Sequence, residues 1–325
     1  MRGKDIRIVF MGTPDFAAES LKSLVENNYK VVGVVTAPDK PAGRGQQMHQ
    51  TPLKVYAQSM GIKVLQPEKL KSPEFIEELK LLKADLQVVV AFRMLPEVVW
   101  DMPRLGTFNL HASLLPKYRG AAPLNWAIIN GETESGVTTF KLQHEIDTGN
   151  IIFQEKVAIN PDDNVEVLHD KLMGIGAHLV IKTVDALAEG NLHFRAQQEL
   201  IAKGYLPTPA PKIFKDDCLI NWNTPVDTIR NFVRGLSPYP AAWTKLISLT
   251  GEKETSAKIF KVEVEKMKVK SEPGTIQSDV KNQLKIAASD GFVIIKELQL
   301  SGKKRLTVEE FLRGFQQIQA FKATN

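Results

Sequence analysis

An amide, an imidazole and a carboxylate stand out in this chain by residue type and spacing. Phe108–Gly120 reads FNLHASLLPKYRG, with Asn109 and His111 two residues apart in an apolar run that ends at Ser113 and Pro116. On a strand, that spacing puts Asn109 and His111 on one face and Leu110 on the other. Asp147 follows in the turn-rich stretch HEIDTGN, residues 144–150. A neutral amide donates hydrogen bonds without titrating, so it can hold an oxygen that gains negative charge. Imidazole can donate to the same oxygen or move a proton near neutral pH. A carboxylate beside the ring favours its charged form and fixes its orientation. The set has no nucleophile of its own: Ser113 lacks a nucleophile-elbow context, and Cys218 is distant in sequence. It suits direct attack by a substrate amine on an acyl carbon, with the protein handling charge and protons.

Each of the three also has a plain structural reading. A lone histidine is commonly bonded to backbone, Asp-Thr-Gly favours a turn by itself, and an asparagine can satisfy a strand-end backbone group. Position favours the chemical reading, because the pair and the carboxylate fall at successive strand ends of one sheet. In open α/β sheets, ligands bind at that edge. Metal chemistry has little support: His49, His111, His144, His169, His178 and His193 are scattered, with no HExxH pattern or Cys/His cluster.

The surrounding elements follow from periodicity. Ile6–Met11 is an apolar run suited to a buried strand, and Gly12-Thr13-Pro14-Asp15 leads into a helix with Thr13 as the expected cap. Val31–Thr36 is a second strand, so the opening predicts a parallel sheet. It lacks the G-x-G-x-x-G turn, which argues against a nicotinamide dinucleotide. Ala37–Gln50 is a long Pro- and Gly-rich loop with Arg44 between two glycines, where a lone guanidinium can project. Helices are expected at 52–60, 72–82, 122–130 and 164–187, and strands at 86–91, 105–111, 136–143 and 151–159. Residues 191–211 contain Pro207, Pro209 and Pro211 and are expected to be extended. Beyond them come one helix over 227–236, short Val-, Ile- and aromatic-rich runs separated by Gly, Ser and Asp, and a final helix capped by Thr307. The predicted fold class is α/β: a Rossmann-like, mostly parallel sheet with flanking helices, plus a smaller C-terminal, OB-like β-barrel. The domain boundaries read as 1–190, a linker over 191–208, and 209–325.

Composition sets the outer limits. The chain has 325 residues, 43% hydrophobic and 24% charged, ordinary for a globular protein with two domains. No apolar run approaches the ~20 residues of a membrane span, and no signal peptide is expected from the strand-like opening. With Cys218 the only cysteine, no disulfide can form within the chain, and a cytoplasmic location is expected. The formal charge is +5, distributed as −1 over residues 1–208 and +6 over residues 209–325. A basic last third attracts phosphate-bearing partners, although a solvated basic face is the blander alternative.

The stretch FNLHASLLPKYRGAAP resembles the signature N-x-H-x-S-L-L-P of the formyltransferases that use 10-formyltetrahydrofolate, in which an Asp follows in a later loop. The opening IRIVFMGTPDFA, the loop PDKPAGRG, MPRLG, EIDTGN, the ending KKRLTVEEFL and the basic second domain are similar to the branch of that family acting on methionyl-tRNA. The resemblance covers nearly the whole chain. It implies formyl transfer from 10-formyltetrahydrofolate, without a metal, to the amino group of methionine on initiator methionyl-tRNA for translation initiation. Asn109, His111 and Asp147 match the family's catalytic trio. Ser113, Leu114, Leu115 and Pro116 match the stretch that lies against the folate. Arg44 matches the loop arginine used at the tRNA acceptor stem, and 209–325 matches the tRNA-binding barrel. A monomer with no membrane partner is expected. Three rivals stay open: a formyltransferase acting on an amino-sugar nucleotide, a hydrolase that releases formate from the same cofactor, and a folate-independent RNA-binding protein.

Overall fold

A computed structural model of the chain describes residues 2–42, 47–190 and 192–324. Contacts divide it into two compact units. One comprises Met1–Ala121, Ser135–Val157 and His169–Ala210; the other comprises Ala122–Glu134, Ala158–Leu168 and Pro211–Asn325.

The first unit begins with β1 (Arg7–Gly12), α1 (Asp15–Glu26) and β2 (Lys30–Val35). Thr13 is not the cap of α1. Pro14 occupies that position without a side-chain bond, and Asp15 supplies the acceptor for the Phe16 amide at 3.0 Å. Thr13 lies one residue too early to reach the free amides of the first turn. Residues 37–50, expected as a loop, contain β3 (Lys40–Ala42) and β4 (Gln47–His49), which pair antiparallel. Their three-residue ladder rests on backbone bonds and shows no apolar alternation. Next come α2 (Pro52–Ser59), β5 (Val64–Leu65), α3 (Pro73–Leu81), β6 (Leu86–Val90), α4 (Glu97–Trp100), β7 (Thr107–His111) and β8 (Arg119–Gly120). Thr51 and Ser72 cap α2 and α3 by accepting from the Lys54 and Phe75 amides, each with proline at the first helical position. After α5 (Pro123–Ile129) come β9 (Glu134–Lys141), β10 (Ile151–Ala158), α6 (Val165–Glu189), α7 (Gln197–Ala202) and β11 (Pro209–Ala210). The segment expected to be extended therefore carries a helix, α7.

Seven strands form one sheet in the order β10-β9-β7-β6-β1-β2-β5. The pairs β1/β2, β1/β6, β2/β5 and β6/β7 are parallel, and β9 runs antiparallel to β7. All five residues of β6 are buried, as suits a strand covered on both faces. On one face, Val9, Met11, Val35 and Val89 meet Phe75, Ile76, Leu79, Leu95 and Val99 from the α3 and α4 region.

The second unit contains α8 (Val226–Leu236), β12 (Ala242–Ser248), β13 (Glu254–Lys266), β14 (Ile276–Ser278), β15 (Leu284–Ala287), β16 (Gly291–Leu300), β17 (Leu306–Thr307), α9 (Val308–Gly314) and β18 (Phe321–Thr324). The strands run in the order β14-β15-β16-β13-β12-β18, with β17 pairing off β16. A bridge between Thr275 and Lys322, beside the two end strands, nearly closes this antiparallel barrel. Alternation is strict along β12, where Ala242, Thr244, Leu246 and Ser248 are buried. α8 covers the barrel with Val226, Ile229, Val233 and Leu236. Helix α5 belongs here too: Asn125 donates to the Gly235 carbonyl at 2.8 Å. A Cβ on Gly235 would lie 2.7 Å from Ile129, so only glycine allows this approach of α5 and α8. β18 carries no sequence signal, because FKAT is too short to show a period. Among the described residues no helix is long and apolar enough to cross a membrane.

Candidate active site

The site is built from β7 outward. β7 lies between β6 and β9, with Asn109 opposite Val89 and Phe140 and His111 opposite Thr138. Leu110 points the other way, toward α6, where a Cβ on Gly176 would come within 2.8 Å of its side chain. Packing of Leu110 thus commits Asn109 and His111 to the opposite face, as the two-residue spacing predicts.

His111 is 7% exposed and the Asp147 side chain 12%, with Nδ1 and Oδ2 3.8 Å apart. The other ring nitrogen, Nε2, lies 2.8 Å from the Tyr118 carbonyl oxygen. A carbonyl can only accept, so Nε2 carries a hydrogen and donates it. In the neutral ring, Nδ1 then holds a lone pair and faces the carboxylate. Phe140 stands edge-on to the imidazole at 6.5 Å between ring centres and restricts its rotation.

The carbonyl that holds Nε2 depends on the loop after β7. Ser113 donates from Oγ to the Lys117 carbonyl at 2.6 Å, folding the segment back on itself. Thr138 donates to the Ser113 carbonyl at 2.6 Å and accepts from the Leu115 amide at 3.2 Å. Gln154 donates to the Leu115 carbonyl at 2.9 Å. Tyr118 then takes a left-handed conformation, φ +60°, which turns its carbonyl toward His111.

Asp147 also has a left-handed backbone, φ +53°. Its Oδ2 accepts from the Gly120 amide at 2.9 Å. Gly120 has φ +124°, and a Cβ there would lie 2.5 Å from the Ala210 carbonyl oxygen, so only glycine fits. Gln197 donates to the main-chain carbonyls of Asp147 and Gly149 at 2.8 and 2.9 Å. Arg119 holds the Gln197 oxygen at 3.1 and 2.6 Å through Nε and Nη2. Burial pushes the Arg119 guanidinium below its ordinary value, against the opposing pull of Asp147 and Glu145.

Asn109 is half-buried, and among the described residues its side chain makes no hydrogen bond. Its amide remains available to an oxygen brought beside the ring. Of the loop residues picked from the sequence, Ser113, Leu115 and Pro116 are buried, and Leu115 packs with Phe140, Ile151 and Leu200. Leu114 is the half-buried one of the four. Arg44 lies outside the described residues. No group of three or more His, Cys, Asp or Glu side chains among the described residues could hold a metal ion.

Four contributors escape the sequence reading: the Tyr118 carbonyl, the Gly120 amide, Arg119 and Gln197. Two act through backbone atoms, which residue type does not advertise. Gln197 sits in a stretch read as linker, where QQEL has no distinguishing pattern.

The formyl transferase family matches residues 6–184, and the formyl transferase C-terminal domain matches residues 212–316. The chain is 58% identical over 322 residues to the methionyl-tRNA formyltransferase of Bacteroides fragilis, covering 99% of each. It is 50% identical over 309 residues to the methionyl-tRNA formyltransferase of Flavobacterium johnsoniae, covering 95% of this chain and 96% of that one. Its fold is similar to that of the sugar 3N-formyl transferase WlaRD, solved in the presence of dTDP and 5-N-formyl-THF. That match has a TM-score of 0.63 at 21% identity, over 92% of this chain and 99% of that one.

Proposed function

The chain belongs to the formyl transferase family, and from that premise we propose that it formylates initiator methionyl-tRNA for translation initiation in the cytoplasm, taking the formyl group from 10-formyltetrahydrofolate. The observation that carries the mechanism is the pinned imidazole: Nε2 is committed to Tyr118, and Nδ1 faces Asp147 at 3.8 Å beside an unbonded amide. The names and identities of the full-length relatives support the acceptor.

The donor supplies an activated formyl carbon, and the α-amine of the esterified methionine attacks it. As the formyl oxygen gains charge, the Asn109 amide donates to it. The His111 Nδ1 lone pair receives a proton from the attacking amine, directly or through water. Once protonated, Nδ1 can donate to the same oxygen, so the ring serves first as a base and then as a donor. The Asp147 carboxylate steadies the charged ring, and the proton then passes to the departing nitrogen of the donor. On this reading Ser113, Leu114, Leu115 and Pro116 form the wall for the folate, with Leu114 as the side chain nearest solvent. Arg44 and the basic barrel within 209–325 contact the tRNA, and 1–190 holds the chemistry.

A side-by-side assay tests the reading. The chain is supplied with 10-formyltetrahydrofolate and either charged initiator tRNA or an amino-sugar nucleotide. Rapid formylation of the tRNA and none of the sugar is expected. Preference for the sugar would reassign the acceptor, and salt-sensitive RNA binding without transfer to either would leave only a binding protein.

A further inference from the structure

We propose that Gln197 is a positioning residue for the reaction, holding Asp147 in register with His111; the inference rests on the role given to Asp147 above. Gln197 lies between the two stretches that match the family, residues 6–184 and 212–316. It is nevertheless fully buried, at 0% exposure. All of its hydrogen-bonding capacity is spent on the site. The amide nitrogen donates to Asp147 O and Gly149 O, and the amide oxygen receives both Arg119 bonds. A glutamine has two donor hydrogens and two acceptor lone pairs, so none is left over.

These bonds close a ring around Asp147. Its carboxylate is fixed by the Gly120 amide, and its main-chain carbonyl by Gln197. Arg119, the residue before Gly120, links the two holds by binding the Gln197 oxygen. The left-handed conformation of Asp147 is disfavoured relative to ordinary backbone, so the loop needs outside bonds to keep it. Gly149 adds a steric stop, because a Cβ there would sit 1.8 Å from the Lys141 carbonyl oxygen. α7 is itself anchored: Leu200 packs with Leu115, Phe140 and Ile151, and Arg195 exchanges two backbone bonds with Ile151 at 2.8 and 2.9 Å. The donor amide therefore reaches Asp147 from a docked helix. Without it, the carboxylate loses its fixed distance from Nδ1.

Two measurements on the full chain decide this. The first is hydrogen exchange at the Gly120 amide, whose only role in the ring is to bind the Asp147 carboxylate; it requires no catalysis. Gln197→Leu should strip its protection as Asp147→Ala does, since alanine removes the accepting oxygen. The second is a double-mutant cycle on kcat. Gln197→Leu should lower kcat by roughly 100-fold, the scale of a misplaced catalytic group, with KM for tRNA within about twofold. In an Asp147→Asn background the same change should cost less than about threefold, because the carboxylate charge that Gln197 positions is already gone. Arg119→Lys, which removes the paired hold on Gln197 and keeps the charge, should show the same non-additivity on a smaller scale. It takes the place of Gln197→Leu in the cycle if that variant shows no cooperative melt. Retained Gly120 protection, or equal losses in both backgrounds, would overturn the proposal. A parent chain that formylates no tRNA would count against the function above, and the exchange result would still decide the clamp.

Discussion

At the carboxyl end of β7, polar groups are held by polar groups. His111 is bonded to a carbonyl, Asp147 to an amide, and Gln197 to two carbonyls and a guanidinium. The barrel interior is held the other way. There, Trp222, Ile229 of α8 and the strand residues Leu246, Ile259, Val293 and Leu298 pack in one apolar cluster, and the Trp222 indole donates to Thr244 at 2.9 Å deep in the core. The first region spends free energy on close placement, with two non-glycine residues in left-handed conformations. The second gains it from apolar area, with most side chains in ordinary strand geometry. Damage to the barrel core should therefore register as lost stability, and damage to the β7 end as lost turnover at nearly constant stability.

The sharpest way to break this contrast is Trp222→Ala. Removing a fully buried indole should cost about 3–5 kcal/mol of unfolding free energy, read from denaturant melts. The folded fraction should still transfer formyl groups at the parent single-turnover rate. Next in size is Asn109→Ala, which should lower turnover about 100-fold, ~3 kcal/mol of transition-state stabilisation. Its melting temperature should barely move, because the side chain is half-buried and makes no hydrogen bond among the described residues. Near-normal turnover would remove Asn109 from the mechanism.

Two smaller effects sharpen the contrast. Thr307 and Glu310 form a reciprocal cap at the start of α9, so Thr307→Ala should cost ~1 kcal/mol of stability and leave turnover alone. Asp85 offers a pH test within the first unit. Burial pushes its carboxyl up, but the Arg7 amide and the Arg104 guanidinium outweigh this and hold it below the usual Asp range. Its contribution is therefore present above the ordinary Asp value and fades as pH falls through the lowered one. Asp85→Asn should cost under about 1 kcal/mol at neutral pH and nothing in acid, measured by melts across pH.

The same contrast explains what is legible in the sequence. Asn109 and His111 can be placed on one strand face because strand periodicity is geometric and Leu110 marks the other face. The cap Thr307 is readable because its chemistry is local. Alternation announces the barrel, with β12 as its clearest strand. Tyr118 and Gly120 are not legible, since they contribute a carbonyl and an amide that nearly every residue possesses. Gln197 escapes because its partners lie at 119, 147 and 149, and nothing local signals so distant a bond. β3 and β4 escape because short ladders need no apolar pattern, and Thr13 misleads because helix starts slip by a residue.

The most direct measurement is a crystal structure of the chain with an unreactive formyl-folate analogue. The formyl oxygen should lie within hydrogen-bond distance of the Asn109 amide nitrogen, with His111 Nδ1 beside the formyl carbon and His111 Nε2 still bonded to the Tyr118 carbonyl. A formyl group lying away from Asn109, or a ring turned to release Tyr118, would contradict the mechanism.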